Sequence, residues 1–318
     1  MRVFVAGATG VLGRRLVANL SNRGHDVLGL SRRPENDATV RQAGGHPRRG
    51  DLFNVDSLVS AAEGSEVVVR AATAIPPGVR FRRKDWLPND RIRTEGTRAL
   101  LAACGRIHAR AYVQEGIVWV AAPEDGSSFD EEARPIPRLW FGTAEEAERM
   151  AQAAGERSHL ATSTVRFGTF YCADASQTRY IGERLVRGKV PIVGPGENFW
   201  SCTHVDDAAE AMAAVIDAQG SGIFHAVDDQ PVTLANYFET FAEALRAPKP
   251  KHVSRWLGRL ALGRETLEFL TLSTRTSAAR LRRELGWVPR YPTVRDGFRQ
   301  IVDEWRAEGF VPPGGAPG

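Results

Sequence analysis

The chain has 318 residues, 42% of them hydrophobic, with a formal charge of +4, which suits one large domain or two intimate ones with a core that needs no staples. Three scattered cysteines, Cys104, Cys172 and Cys202, exclude a disulfide framework and a cysteine-rich zinc site, and no run is long and apolar enough to span a bilayer. Basic clusters at Arg32-Arg33, Arg48-Arg49 and Arg80 to Lys84 are interspersed with acids and lack a nucleic-acid motif, so a solvated surface is expected rather than nucleic-acid binding. The first strand begins at once, with no signal-peptide pattern before it, and a cytoplasmic location is expected.

Val3-Phe4-Val5-Ala6 is a short β-branched and apolar run, the pattern of a central parallel strand. It enters Gly7-Ala8-Thr9-Gly10-Val11-Leu12-Gly13, glycines spaced G-x-x-G-x-x-G, and then a helix whose apolar face is Leu12, Leu16 and Leu20. The first glycine permits a tight turn, the second lets backbone approach phosphate, and the third lets the helix lie close on the strand. The helix N-terminus adds free N–H groups and a positive dipole end. A strand before and a helix after give the glycines the context of a dinucleotide-binding turn.

Val27 to Leu30, Glu66 to Val69, Ala111 to Val113 and Ser163 to Phe167 read as further strands, with helices such as Gly96 to Cys104 and Thr143 to Ala154 between them. This alternation predicts a parallel α/β sheet covered on both faces. Pro76-Pro77-Gly78 and Pro135-Ile136-Pro137 mark loops. From about Pro231 onward the chain reads as helical and amphipathic, and the tail 312–318 as disordered.

After the second strand stands Ser31-Arg32-Arg33-Pro34. The carboxylate that would bind a ribose 2′-hydroxyl is absent. A guanidinium is available to grip a 2′-phosphate instead, with Arg14 as an assistant. NADP(H) is therefore favoured over NAD as the cofactor. Arg32 and Arg33 also admit a reading as plain exposed loop residues.

Together these landmarks resemble the extended short-chain dehydrogenase/reductase family, the NAD(P)-dependent epimerases, dehydratases and reductases. Asp51-Leu52 is similar to the pair that contacts the adenine ring, and Gly96-Thr97 to the end of N-x-x-G-T. Arg166-Phe167-Gly168 with Phe170-Tyr171 resembles the strand and loop entering the substrate cleft. His204-Val205-Asp206-Asp207-Ala208 resembles the H-V-D-D-A block, and Glu284-Leu285-Gly286-Trp287 with Pro289 the C-terminal signature. The resemblance implies a Rossmann-type doubly wound sheet over residues 1–170, with later strands from about 200–230 returning to it. A smaller, mostly helical substrate domain would comprise 171–199 and 231–311. It implies cofactor contacts from Gly7, Thr9, Gly10, Val11, Leu12, Gly13, Ser31, Arg32, Arg33, Asp51, Leu52, Ala71 and Ala72.

The family's proton relay is missing. A phenol with pKa of about 10 must be pulled toward neutrality to move a proton efficiently, and the resemblance implies Y-x-x-x-K for that purpose. Aligned on Phe141-Gly142, the chain offers Phe141 and Glu145; aligned on Glu148, it offers Trp140 and Ala144. Glu115 and Gly116 stand where a serine is expected, and Arg93 where an asparagine is expected. The candidate catalytic groups are Glu115, Tyr171, His204 and Arg93. Glu115 reads either as a base or as a loop carboxylate near an arginine. His204 is a proton-transfer group or a packed histidine, and Tyr171 follows a strand at the cleft border. Arg93 binds a substrate oxygen or replaces the lysine's charge. Asp206 and Asp207 read as helix caps. Trp119, Trp140, Phe141, Phe199 and Trp200 line a pocket for a flat substrate or belong to the core.

The expected activity is that of a secondary-metabolism tailoring enzyme acting on a hydrophobic, polycyclic aromatic or polyketide metabolite. Reduction and non-redox cyclisation, rearrangement or dehydration both stay open. A non-enzymatic NADP-binding sensor or partner protein is the alternative, and a monomer or homodimer is expected on either reading.

Overall fold

The computed structural model describes residues 1–76, 82–138 and 140–310. The expected tail 312–318, Pro77-Gly78 of the proline-rich loop and Leu139 of the relay segment lie outside these residues.

The first half alternates β1 (Arg2–Ala6), α1 (Val11–Asn22), β2 (Asp26–Ser31), α2 (Asp37–Gln42), β3 (His46–Arg49), α3 (Val55–Ala61) and β4 (Val67–Arg70). After β4 come α4 (Arg83–Arg91), a π-helical turn over Ile92–Gly96, α5 (Thr97–Ile107), β5 (Ala111–Ile117), α6 (Gly142–Arg157) and β6 (Ala161–Phe167). One further strand, β11 (Gly222–Ala226), joins after the short β7 (Thr169–Tyr171), β8 (Ile192–Val193), β9 (Phe199–Trp200) and β10 (Cys202–His204) and the helices α7 (Ser176–Val186) and α8 (Val205–Asp217). The result is a seven-stranded sheet in the order β11-β6-β5-β4-β1-β2-β3. All its pairings are parallel. This is the expected Rossmann-type α/β fold.

Apolar strand residues face both ways because helices cover both faces. Val3, Val5, Val67 and Val69 pack with Leu16, Val17 and α8 on one side. Phe4, Leu28, Val68 and Tyr112 pack with Leu58 and Leu100 on the other. The edge strand β3, His-Pro-Arg-Arg, is exposed and polar. It carries no apolar signal and escaped sequence reading.

A second core is built from α7, β12 (Val232–Thr233), α9 (Leu234–Leu245) and α13 (Val294–Ala307), which contribute Leu185, Tyr237, Phe241, Phe298 and Trp305. The remaining elements are β13 (His252–Val253), α10 (Arg255–Leu262), α11 (Arg264–Thr271) and α12 (Ala279–Leu285). Among the described residues no helix is long and apolar enough to cross a membrane.

Candidate cofactor and substrate site

The glycine turn leaves β1 and caps α1. Gly7 has φ +96°, a conformation that favours a residue without Cβ. A Cβ on Gly7 would lie 2.5 Å from the Ala72 nitrogen, and one on Gly13 would lie 1.9 Å from the Gly7 oxygen. The Gly10 N–H donates to the Gly7 carbonyl at 2.9 Å. No acidic residue occupies the first turn of α1, so its positive end stays open to an anion. Gly7, Thr9, Gly10, Val11, Leu12, Leu52, Ala71 and Ala72 all border a single cleft of about 1670 Å³. Gly13 lies behind the turn and serves the strand–helix approach. The cradle fits a dinucleotide's pyrophosphate.

The three residues expected at the 2′-phosphate end take different places. Arg32 and Asn36 border the cleft. Arg33 is 73% exposed and lies 4.0 Å from Glu35. Ser31 is buried, and its hydroxyl donates to Asp37 Oδ1 at 2.8 Å while accepting from Arg49 at 2.9 Å. Ser31 thus fixes the loop. Arg14 pairs with Asp174 and is engaged there. Asp51 turns its carboxylate back to accept the Phe53 N–H at 3.0 Å; Leu52 and Phe53 form the wall instead, with the Arg91 guanidinium 3.9 Å above the Phe53 ring.

The cleft floor is charged. Glu115 lies within β5, which runs four residues beyond the expected end at Val113 to Ile117. Its Oε2 accepts from Arg70 Nη1 at 3.2 Å and its Oε1 from Arg93 Nη2 at 3.4 Å. Arg70 also donates to the Glu115 carbonyl at 2.6 Å. Arg70, Arg93 and Glu115 are 1%, 2% and 4% exposed. Glu115 is thus a clamped buried carboxylate, and the structure brings it together with Arg93. Arg93 sits in the π turn, a distortion often found at functional sites. Sequence reading missed Arg70. Its signal was a charge directly after the apolar run Val67–Val69. The adjacent buried pair of Arg166 and Glu148 was missed as well, since its members are 18 positions apart.

At the relay position the wall is aromatic. Trp140 and Phe141 both border the cleft, while Ala144 and Glu145 do not. In either register the residue four positions on brings no ammonium to the site. Phe141 packs against Trp119 and Phe269, with ring centroids 6.5 and 6.0 Å away. Trp119 stacks on Phe269 at 5.8 Å and 14°. Trp200 also borders the cleft; Phe199 does not, and lies under the Arg275 guanidinium.

Tyr171 and His204 lie outside the cleft lining, in the buried core. Their rings meet edge to face at 5.3 Å. His204 Nδ1 accepts the Asp206 N–H at 3.3 Å and caps α8, a role the sequence assigned to Asp206 or Asp207. Burial lowers the His204 pKa to about 4. Burial likewise pushes the Tyr171 hydroxyl well above its ordinary value. Asp206 pairs with Arg15, and Asp207 accepts the N–H groups of Arg290 and Tyr291 at 2.8 and 3.0 Å. The tyrosines that do border the cleft are Tyr180 and Tyr237, whose positions on α7 and α9 carried no motif.

Known proteins share this fold. The model of the NAD dependent epimerase/dehydratase family matches residues 3–226. A 3-diazoavenalumate denitrifying reductase from Streptomyces sp. is 34% identical, over 94% of this chain and 99% of that one. A 2-alkyl-3-oxoalkanoate reductase from Stenotrophomonas maltophilia is 25% identical, over 95% and 98% of the two chains. A human epimerase family protein crystallised with NADPH superposes with a TM-score of 0.78 at 21% identity, over 95% of this chain and 99% of that one. Fold, glycine cradle and relatives agree: the chain belongs to the NAD-dependent epimerase/dehydratase family of extended short-chain dehydrogenases/reductases.

Proposed function

We propose that this protein is an NADP(H)-dependent reductase of a flat, hydrophobic aromatic metabolite, in which hydride delivery is not coupled to a protein proton donor at the family's relay position. The carrying observation is the wall formed by Trp140 and Phe141, where that donor would stand, with Ala144 or Glu145 in place of its lysine. Trp119, Phe269, Trp200 and Phe238 continue the apolar surface from there, a lining suited to a flat ring. Arg32 at the adenosine end supports NADP(H) over NAD, as a guanidinium pairs a phosphate where a carboxylate would repel it. The human relative's bound NADPH adds support for the cofactor class.

When bound, reduced nicotinamide supplies a hydride. A carbonyl acceptor then becomes an alkoxide that must gain a proton. An aryl diazonium has no such requirement: the hydride pair makes a C–H bond, the C–N pair leaves with dinitrogen, and no proton is taken up. The denitrifying reductase among the relatives makes that acceptor class the favoured one. The chain's own residues bind and orient the ring and exclude water.

The test is incubation of purified protein with NADPH and an aryl diazonium salt, or with an aryl ketone of the same size. Expected is enzyme-dependent loss of reduced-nicotinamide absorbance with stoichiometric dinitrogen release. Consumption with the ketone alone, or turnover without any cofactor, overturns the proposal.

A further inference from the structure

We infer that the substrate carries a carboxylate and that Arg93, held by Glu115 and Arg70, is the specificity-determining residue that receives it. This deepens the reading of the cleft as a substrate site and rests on it. Arg70 and Arg93 set two guanidiniums against the single carboxylate of Glu115. The buried cluster therefore keeps an excess positive charge, which is costly in a low-dielectric interior unless an anion compensates it. The neighbouring Arg166–Glu148 pair is matched one to one and supplies no such anion. Of the two arginines in the cluster, Arg93 borders the cleft and Arg70 lies behind it.

The unpartnered polar atoms point the same way. Arg93 Nε, Trp119 Nε1, Trp200 Nε1 and, behind them, Arg70 Nε are buried and meet no acceptor in the protein; the first three belong to residues that border the cleft. Each of these atoms is a donor only. Both carboxylate oxygens of Glu115 are already engaged. Orphaned buried groups of this kind call for a partner, and the partner must bring acceptors. The side chains that border the cleft carry further cations, Arg32, Lys84, Arg91, Arg184 and Lys189, against Glu115 as the one carboxylate among the described lining residues. A planar carboxylate matches the guanidinium fork of Arg93. Glu115 and Arg70 act through Arg93 as positioning residues.

The experiment is equilibrium binding of 2-naphthoate and of methyl 2-naphthoate to the full chain saturated with NADP⁺. Binding is followed by ligand fluorescence, in the wild type and in Arg93→Gln and Arg93→Lys. The acid should bind the wild type at least about tenfold more tightly than the ester. Arg93→Gln should erase that preference and Arg93→Lys restore part of it, with NADPH affinity preserved in both. Equal binding of acid and ester, or a preference that survives Arg93→Gln, overturns the inference. So does a parallel loss of NADPH affinity, which would make Arg93 a cofactor ligand. Should Arg93→Gln fail to fold, the wild-type comparison and Arg93→Lys still decide. Neither measurement requires turnover, so failure of the reductase reading leaves this result legible.

Discussion

Arg166 donates to both oxygens of Glu148, Nε to Oε1 at 2.9 Å and Nη2 to Oε2 at 2.7 Å, with both side chains buried. The pair ties β6 to α6 immediately behind the cleft floor. Truncating one member strands the other charge in the interior. Glu148→Ala should therefore lower unfolding free energy by ~3–5 kcal/mol, read from urea titration. A loss below ~1 kcal/mol would show that water reaches Arg166 in the variant.

The approach of Gly7 to Ala72 leaves no room for a methyl group. Gly7→Ala should bring the melting temperature down and abolish NADPH binding together. Retention of wild-type affinity, measured by fluorescence titration, would contradict the glycine cradle as the cofactor site.

Arg32 borders the cleft just past β2 while Arg33 extends into solvent. Arg32→Ala should weaken NADPH by ~1.5–3 kcal/mol, the range for a hydrogen bond to a charged group, with little change in NADH affinity. Arg33→Ala should leave both unchanged. Equal weakening of NADPH and NADH by Arg32→Ala would refute the 2′-phosphate assignment.

Glu115 is clamped between two arginines, and on the inference above it holds Arg93 rather than moving protons. Glu115→Gln should depress kcat/KM by about tenfold or more, ~1.4 kcal/mol, with the shape of the pH–rate profile unchanged. Disappearance of one limb of that profile would restore Glu115 as a general base.

Burial lowers the pKa of His204 to about 4 and, with help from the Arg166 charge, that of His225 to about 3, both from an ordinary 6.5. Unfolded histidine binds the proton first as pH falls, so stability declines below pH 6.5, across the window down to those folded values. Asp207, raised by burial to about 6, works in the opposite sense. His225→Gln should remove up to ~1.4 kcal/mol per pH unit from the acid slope. An unaltered slope in urea titrations at pH 4 to 6 would reject the buried neutral histidine.

Most of the fold was legible because periodicity and glycine spacing are local. The run Val3 to Ala6 and the following glycines predicted a strand, a turn and a helix, and those elements stand there. The short polar β3 was illegible, because exposed edge residues carry no apolar alternation. Tyr171 looked like a cleft residue because it follows a strand. Its ring turns instead into the second core against Phe298, and a side chain's direction at the end of a strand depends on what packs beside it.

The sequence alone determined the nucleotide turn, the absence of Tyr-x-x-x-Lys and the arginines after β2, since each is a property of neighbouring residues. Only the tertiary structure decided that Arg70, Arg93 and Glu115, from β4, a π turn and β5, form one buried cluster with surplus positive charge. It alone decided that Trp119, Phe141 and Phe269 make one wall. Parallel strands bring their carboxyl ends to a common edge however far apart they lie in the chain, and burial then sets which charges must find a partner.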